Sequence, residues 1–130
     1  MNKMKAFVFI AMIFCHIVDD YYLQGILANL KQKSWWKKQE NYNDYYKFDY
    51  IVGLLMHSLS WAFMIMFPIA LYFHFQIDWV FGLTFAINAI IHCVIDDLKA
   101  NKKTINLVLD QTAHIVQICA TYAVFMTAMI

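Results

Sequence analysis

The stretch His92-Cys-Val-Ile-Asp-Asp-Leu-Lys99 sets an imidazole and a carboxylate one helical turn apart inside an otherwise apolar segment. Residues four apart share a helix face, so His92 and Asp96 can converge on one ion or one proton. The stripe runs backward through Asn88 and Thr84 at the same spacing, so the polar groups of this segment form one line. An ionisable side chain turned toward lipid is costly. The line therefore has to face other helices or a water-filled cavity, which predicts a bundle.

Composition agrees with that environment. The 130 residues are 62% hydrophobic and 15% charged, with a mean hydropathy of +0.52, which fits an integral membrane protein better than a soluble domain. Four stretches approach the roughly 20 residues needed to cross a bilayer: 4–28, 50–73, 78–98 and 106–130. The expected fold is all-α, a single four-helix transmembrane bundle. The N-terminal run has the lysine-flanked apolar core of a signal peptide, but no small-x-small cleavage site follows it, so it reads as a retained first helix. Residues 29–49 mix Lys with Trp35, Trp36, Tyr45 and Tyr46, a composition suited to the headgroup layer. Pro68 predicts a kink in the second helix or its end.

All ten basic residues are lysines. Lys31, Lys33, Lys37, Lys38 and Lys47 fall on the same side as Lys99, Lys102 and Lys103, whereas Lys3 and Lys5 lie on the other. The positive-inside rule then makes the lysine-rich loops cytoplasmic and both termini external, as in a bacterial inner membrane. Cys15, Cys93 and Cys119 are scattered and odd in number, which indicates neither a disulfide framework nor a zinc ribbon. No phosphate-cradling glycine loop, serine elbow or nucleic-acid motif is present. Three glycines without a Gly-x-x-x-Gly give no dimer face, although an oligomer stays open.

Each span carries ionisable residues. The first has His16, Asp20 and Gln24 at i+4 spacing, the second His57, the third His92 and Asp96, and the fourth Asp110, Gln111, His114 and Gln117. At 1.5 Å per residue these groups lie roughly 5 to 18 Å below the cytoplasmic face. The common level selects His16, Asp20, His57, His92, Asp96, Asp110 and His114 as ligands for one or two divalent ions. Zn fits best, with Mn, Fe or Ni as further choices. Helical bundles build such sites from i, i+3 and i, i+4 pairs. Gln24, Asn88, Lys99 and Gln111 are expected behind the ligands, and Asp19 and Asp97 off the stripes as supporting or rim residues. Asp20, Asp96 and Asp110 are the candidate catalytic carboxylates, one acting as general base if a single ion is held. His74 stands alone near the outer face. A metal-free proton or hydrogen-bond network and plain interhelical packing are the alternative readings of the same residues.

The set His16-x-x-x-Asp20-x-x-Leu23-Gln24, His57, His92-x-x-x-Asp96-x-x-Lys99 and Asp110-Gln111-x-x-His114 resembles a family of short integral membrane proteins of unknown function from bacteria and their phages. A looser similarity is to membrane-bound metal-dependent hydrolases with buried His and Asp motifs, though the spacings differ. The leading expectation is metal-dependent hydrolysis of a phosphoester, phospholipid or other membrane-associated substrate. The lysine rim suits anionic lipid or a phosphate-bearing partner. A metal-ion or proton transporter or channel component is the second expectation. A phage-encoded membrane interaction protein with a structural metal site is the third.

Overall fold

A computed structural model describes residues 3–127. Four long helices dominate it: α1 (Lys3–Ile17), α4 (Asp49–Tyr72), α5 (Trp79–Ala100) and α6 (Leu107–Thr127), with two single-turn helices, α2 (Leu27–Leu30) and α3 (Lys33–Trp36), between the first two. Among the described residues there is no strand. Among the described residues three segments are long and apolar enough to cross a membrane: Lys3–Leu23, Asp44–Tyr72 and Trp79–Ala100. The sequence pattern puts α6 in the same class, but Asp110, Gln111, His114 and Gln117 dilute its apolar character. The expected last residues of that helix, 128–130, lie outside the described residues.

The helix ends follow local chemistry. Asp78 caps α5 by accepting from the Phe81 amide at 2.9 Å, and Asn106 caps α6 through the Leu109 amide at 2.9 Å, each satisfying a donor that the first turn leaves open. Pro68 lies within α4, one turn before its end. His74, exposed and at φ 51, occupies the turn that follows.

The first span departs from expectation. A single helix over 4–28 is interrupted: α1 passes into a π-helical run, Val18–Leu23, and Gly25 at φ +51 turns the chain before α2. The extra residue per turn changes which side chains face inward. His16 and Asp19 are both buried, at 2% and 1% exposure, and Asp20 is turned inward beside them at 7%. Such π runs concentrate at functional sites.

Residues 29–49, expected to suit a headgroup layer, also make contacts with the rest of the chain. The segment folds back over the lysine-rich end of the bundle and is fastened there. The Asn101 side chain donates to the Lys31 carbonyl at 3.0 Å and accepts from the Lys33 amide at 2.8 Å; within the segment, the Trp36 indole donates to the Leu30 carbonyl at 2.8 Å.

Around the bundle α1 packs on α4, α4 on α5, α5 on α6 and α6 on α1, with α1 more closely applied to α4 than to α6. The outward faces are apolar: Phe7, Ile10, Phe14, Leu55, Leu59, Phe63, Ile87, Ile90 and Val116 are all exposed. Inside, Val8, Met12, Ile65, Met66, Ile69, Ile118 and Phe125 pack one half, whereas His16, Asp19, His57, His92, Asp96, Asp110 and His114 fill the other. Apolar outside and ionisable inside is the reverse of a water-soluble domain and fits a lipid surround.

Candidate metal centre

Three histidines from three helices meet at one carboxylate. The Nε2 atoms of His57 on α4, His92 on α5 and His114 on α6 lie 3.4, 3.7 and 3.4 Å from Asp96 carboxylate oxygens. His57 Nε2 is also 3.2 Å from Asp20 Oδ1, and His114 Nε2 is 3.5 Å from Asp110 Oδ1. None of these contacts is aligned as a hydrogen bond: both ring nitrogens of His57, His92 and His114 are buried without a hydrogen-bond partner, as are Asp20 Oδ1 and Asp110 Oδ1. Buried polar atoms are normally paired. So dense a group of orphans needs something between them.

A cation satisfies that geometry. With metal–ligand bonds of about 2.0–2.1 Å, tetrahedral ligands lie about 3.3 Å from one another, which matches the 3.2–3.7 Å separations. Two groups bring their ligand atoms within 4.8 Å of one another, Asp20 with His57 and His92, and His92 with Asp96 and His114. His92 belongs to both. Charge points the same way. Four carboxylates, Asp19, Asp20, Asp96 and Asp110, are buried or nearly so, and two ammonium groups reach them: Lys31 to Asp96 at 2.6 Å and Lys99 to Asp110 at 2.7 Å. With neutral imidazoles two negative charges are left over, and a divalent ion would offset them.

The expected ligands divide into two kinds. His57, His92, His114, Asp20 and Asp96 converge, whereas His16 has both nitrogens engaged. Its Nδ1 accepts from the Trp61 indole at 2.8 Å and its Nε2 pairs with Gln111 Oε1 at 3.1 Å, which together require the neutral Nε2–H tautomer. His16 thus orients its neighbours. Gln111 in turn donates to Asp20 Oδ2 at 3.2 Å and Asp110 Oδ2 at 3.0 Å, tying three helical elements together. Asp110 lies outside both ligand groups, held by Lys99 and Gln111. Outer contacts of this kind fix the orientation of metal ligands.

The remaining expected residues fall as follows. Gln24 donates to the Asp20 carbonyl at 2.9 Å. Asn88 is set apart from the centre: it bonds Thr121 at 2.9 Å and accepts from Gln117 at 2.8 Å, a separate polar knot one turn deeper. Asp97 is on the rim with Asn101 and Lys102. Lys99 reaches Asp110, not Asp96.

Four participants were not anticipated from the sequence: Trp61, Ser60, Lys31 and Asn101. Trp61 stacks on His92 at 4.2 Å between centroids, and the His92 ring also lies 4.2 Å from that of His114. Ser60 donates to Asp19 at 2.6 Å. Trp61→Phe keeps the ring contact and deletes the donor, leaving the buried His16 Nδ1 unpaired. The variant is expected to lose about 1 kcal/mol, seen as a lower unfolding temperature in detergent; an unchanged value would remove the indole from the network.

The fold and site together define an all-helical protein with three membrane-capable helices and buried His/Asp groups that could hold a metal ion. The chain matches the family model described as Protein of unknown function (DUF3307) over residues 8–130 and belongs to that family. No curated protein and no solved structure matches it.

Proposed function

We propose that this protein is a four-helix transmembrane bundle that holds one or two divalent ions, Zn foremost, and hydrolyses a phosphoester, phospholipid or other membrane-associated substrate. The observation that carries the reading is the set of six ring nitrogens of His57, His92 and His114, buried without hydrogen-bond partners around Asp20 and Asp96. By lysine placement the site opens toward the cytoplasm and both termini lie outside.

Access supports catalysis. A cleft of about 570 Å³ at the lysine-rich end is lined by Asp20, Asp96, Gln111, Lys31, Lys99 and Lys103, among others. The chemistry that a divalent ion supplies is Lewis acidity, acidifying water and offsetting charge that builds on a reacting oxygen. The chain's own residues do the rest. His57, His92, His114, Asp20 and Asp96 hold the ion; His16, Gln111 and Trp61 keep them oriented. Where a single ion is held, one of Asp20 and Asp96 is left off it and takes a proton from the attacking water instead, whose oxygen bonds to phosphorus as the ester P–O bond breaks. The departing alcohol oxygen receives that proton, and Lys31 and Lys99 steady the anionic phosphoryl oxygens.

Transport through the same residues is disfavoured by the apolar packing of Met12, Ile65, Ile69 and Phe125, which fills the other half of the bundle. The test pairs elemental analysis with a hydrolysis screen on phosphoesters and phospholipids. One or two equivalents of metal are expected, with turnover falling at least tenfold in Asp20→Asn and Asp96→Asn. Metal-free protein that takes up no added ion, or unchanged turnover in both variants, would overturn the assignment.

A further inference from the structure

Resting on the hydrolase reading, we propose that the substrate is a single amphiphile: a phosphate-bearing lipid whose headgroup enters the lysine-lined cleft and whose acyl chain lies in the groove between α1 and α6. The two spaces adjoin. Tyr21 and Gln111 line both the cleft and a second, shallower groove of about 490 Å³ walled by Ile13, Ile17 and Ile115. That groove follows the seam where α1 packs least closely on its neighbours, α6 in place of α4. Its outer edge, Ile17 and Tyr22, is exposed on the apolar surface of the bundle. A chain lying there is in contact with the bilayer along its length.

The polar end is matched to an anion. Lys31, Lys99 and Lys103 line the cleft together with Asp20 and Asp96; Lys31 and Lys99 are paired with Asp96 and Asp110 at 2.6 and 2.7 Å, which leaves exposed Lys103 as the lysine added to those pairs. A monoester phosphate placed there meets ammonium groups at the rim and the ligand carboxylates below, while its tail leaves past Tyr21 and Gln111. A soluble phosphoester would use the cleft alone and leave the apolar groove unused.

The test measures binding, not turnover. Full-length protein in phosphatidylcholine nanodiscs is titrated with a short-chain phosphatidate, with glycerol 3-phosphate and with inorganic phosphate, each with zinc present and after chelation. Phosphatidate is expected to bind at least tenfold more tightly than glycerol 3-phosphate. Ile115→Trp, which fills the groove, should erase that difference and leave glycerol 3-phosphate binding unchanged. Lys103→Ala should weaken both ligands by the same factor. Equal affinity for phosphatidate and glycerol 3-phosphate would overturn the proposal in favour of a soluble phosphate source, and equal competition by short-chain phosphatidylcholine would reduce the groove to ordinary lipid contact. The hydrolase reading fails separately: tail-dependent binding without turnover sinks it and keeps this site, whereas turnover of soluble phosphoesters without a tail effect does the reverse.

Discussion

His92→Gln is expected to lose bound metal completely, while His57→Gln keeps the share held by His92, Asp96 and His114. The asymmetry follows from membership: His92 is common to both ligand groups, and His57 belongs to one. Loss of an outer-shell partner weakens metal affinity by about 10–100-fold, so loss of the shared imidazole should exceed about 100-fold. Glutamine keeps most of the ring's volume against Trp61, which stacks on His92 at 4.2 Å, so packing is disturbed little. Elemental analysis and competition with a chromogenic chelator measure the effect, with circular dichroism confirming helix content. Retention of full metal by His92→Gln would place the ion elsewhere, and equal losses in the two variants would mean one ion held by all three histidines. A hydrogen-bond network without metal predicts something different again: no equivalents in wild type.

How much of this was readable follows from the range of each interaction. Spacing alone placed His92 with Asp96, and Asp110 with His114, because i, i+4 geometry belongs to any helix. Levelling from the helix ends brought His57 to the same depth without any local partner. The boundaries of the second and third expected spans and the start of the fourth differ by a residue or two, as helix ends do. What was not readable lies where the helix is not ideal or where the partner is remote. The π run is a local insertion with no propensity signature; Asp19, expected off the stripe as a supporting or rim residue, is 1% exposed and takes the supporting place, accepting from Ser60. The Asp19-Asp20 doublet was the available hint. Lys31 and Asn101 meet across the fold, and nothing in a lysine-rich loop distinguishes the lysine that turns inward. Trp61 could have been found: it follows His57 by four residues and so shares its face. Asn88 shows the opposite failure, since it sits on the stripe of His92 yet bonds Thr121 and Gln117 instead.

Gly53→Ala is expected to destabilise the protein by about 1–3 kcal/mol, while Gly82→Ala is neutral or slightly stabilising. Both glycines are helical, on α4 and α5, and glycine-to-alanine in a helix ordinarily gains up to about 1 kcal/mol. Surroundings decide the sign. A Cβ at Gly82 meets nothing within 4 Å, whereas at Gly53 it would stand 2.6 Å from the Leu30 carbonyl carbon, 2.7 Å from its oxygen and 2.8 Å from the Lys31 nitrogen. Those are backbone atoms and cannot rotate aside. The added methyl must therefore push away the segment that carries Lys31, whose ammonium rests 2.6 Å from Asp96 and whose carbonyl is held by Asn101. Two readouts should move together in Gly53→Ala: the unfolding temperature in detergent drops, and Lys31, 12% exposed in the side chain, reacts faster with an amine-labelling reagent detected by mass spectrometry. Equal stability of the two variants would show that the 29–33 segment is not seated on α4. A drop in stability without faster Lys31 labelling would show that the clash is absorbed within α4, and that Lys31 keeps its place on Asp96 by its own charge.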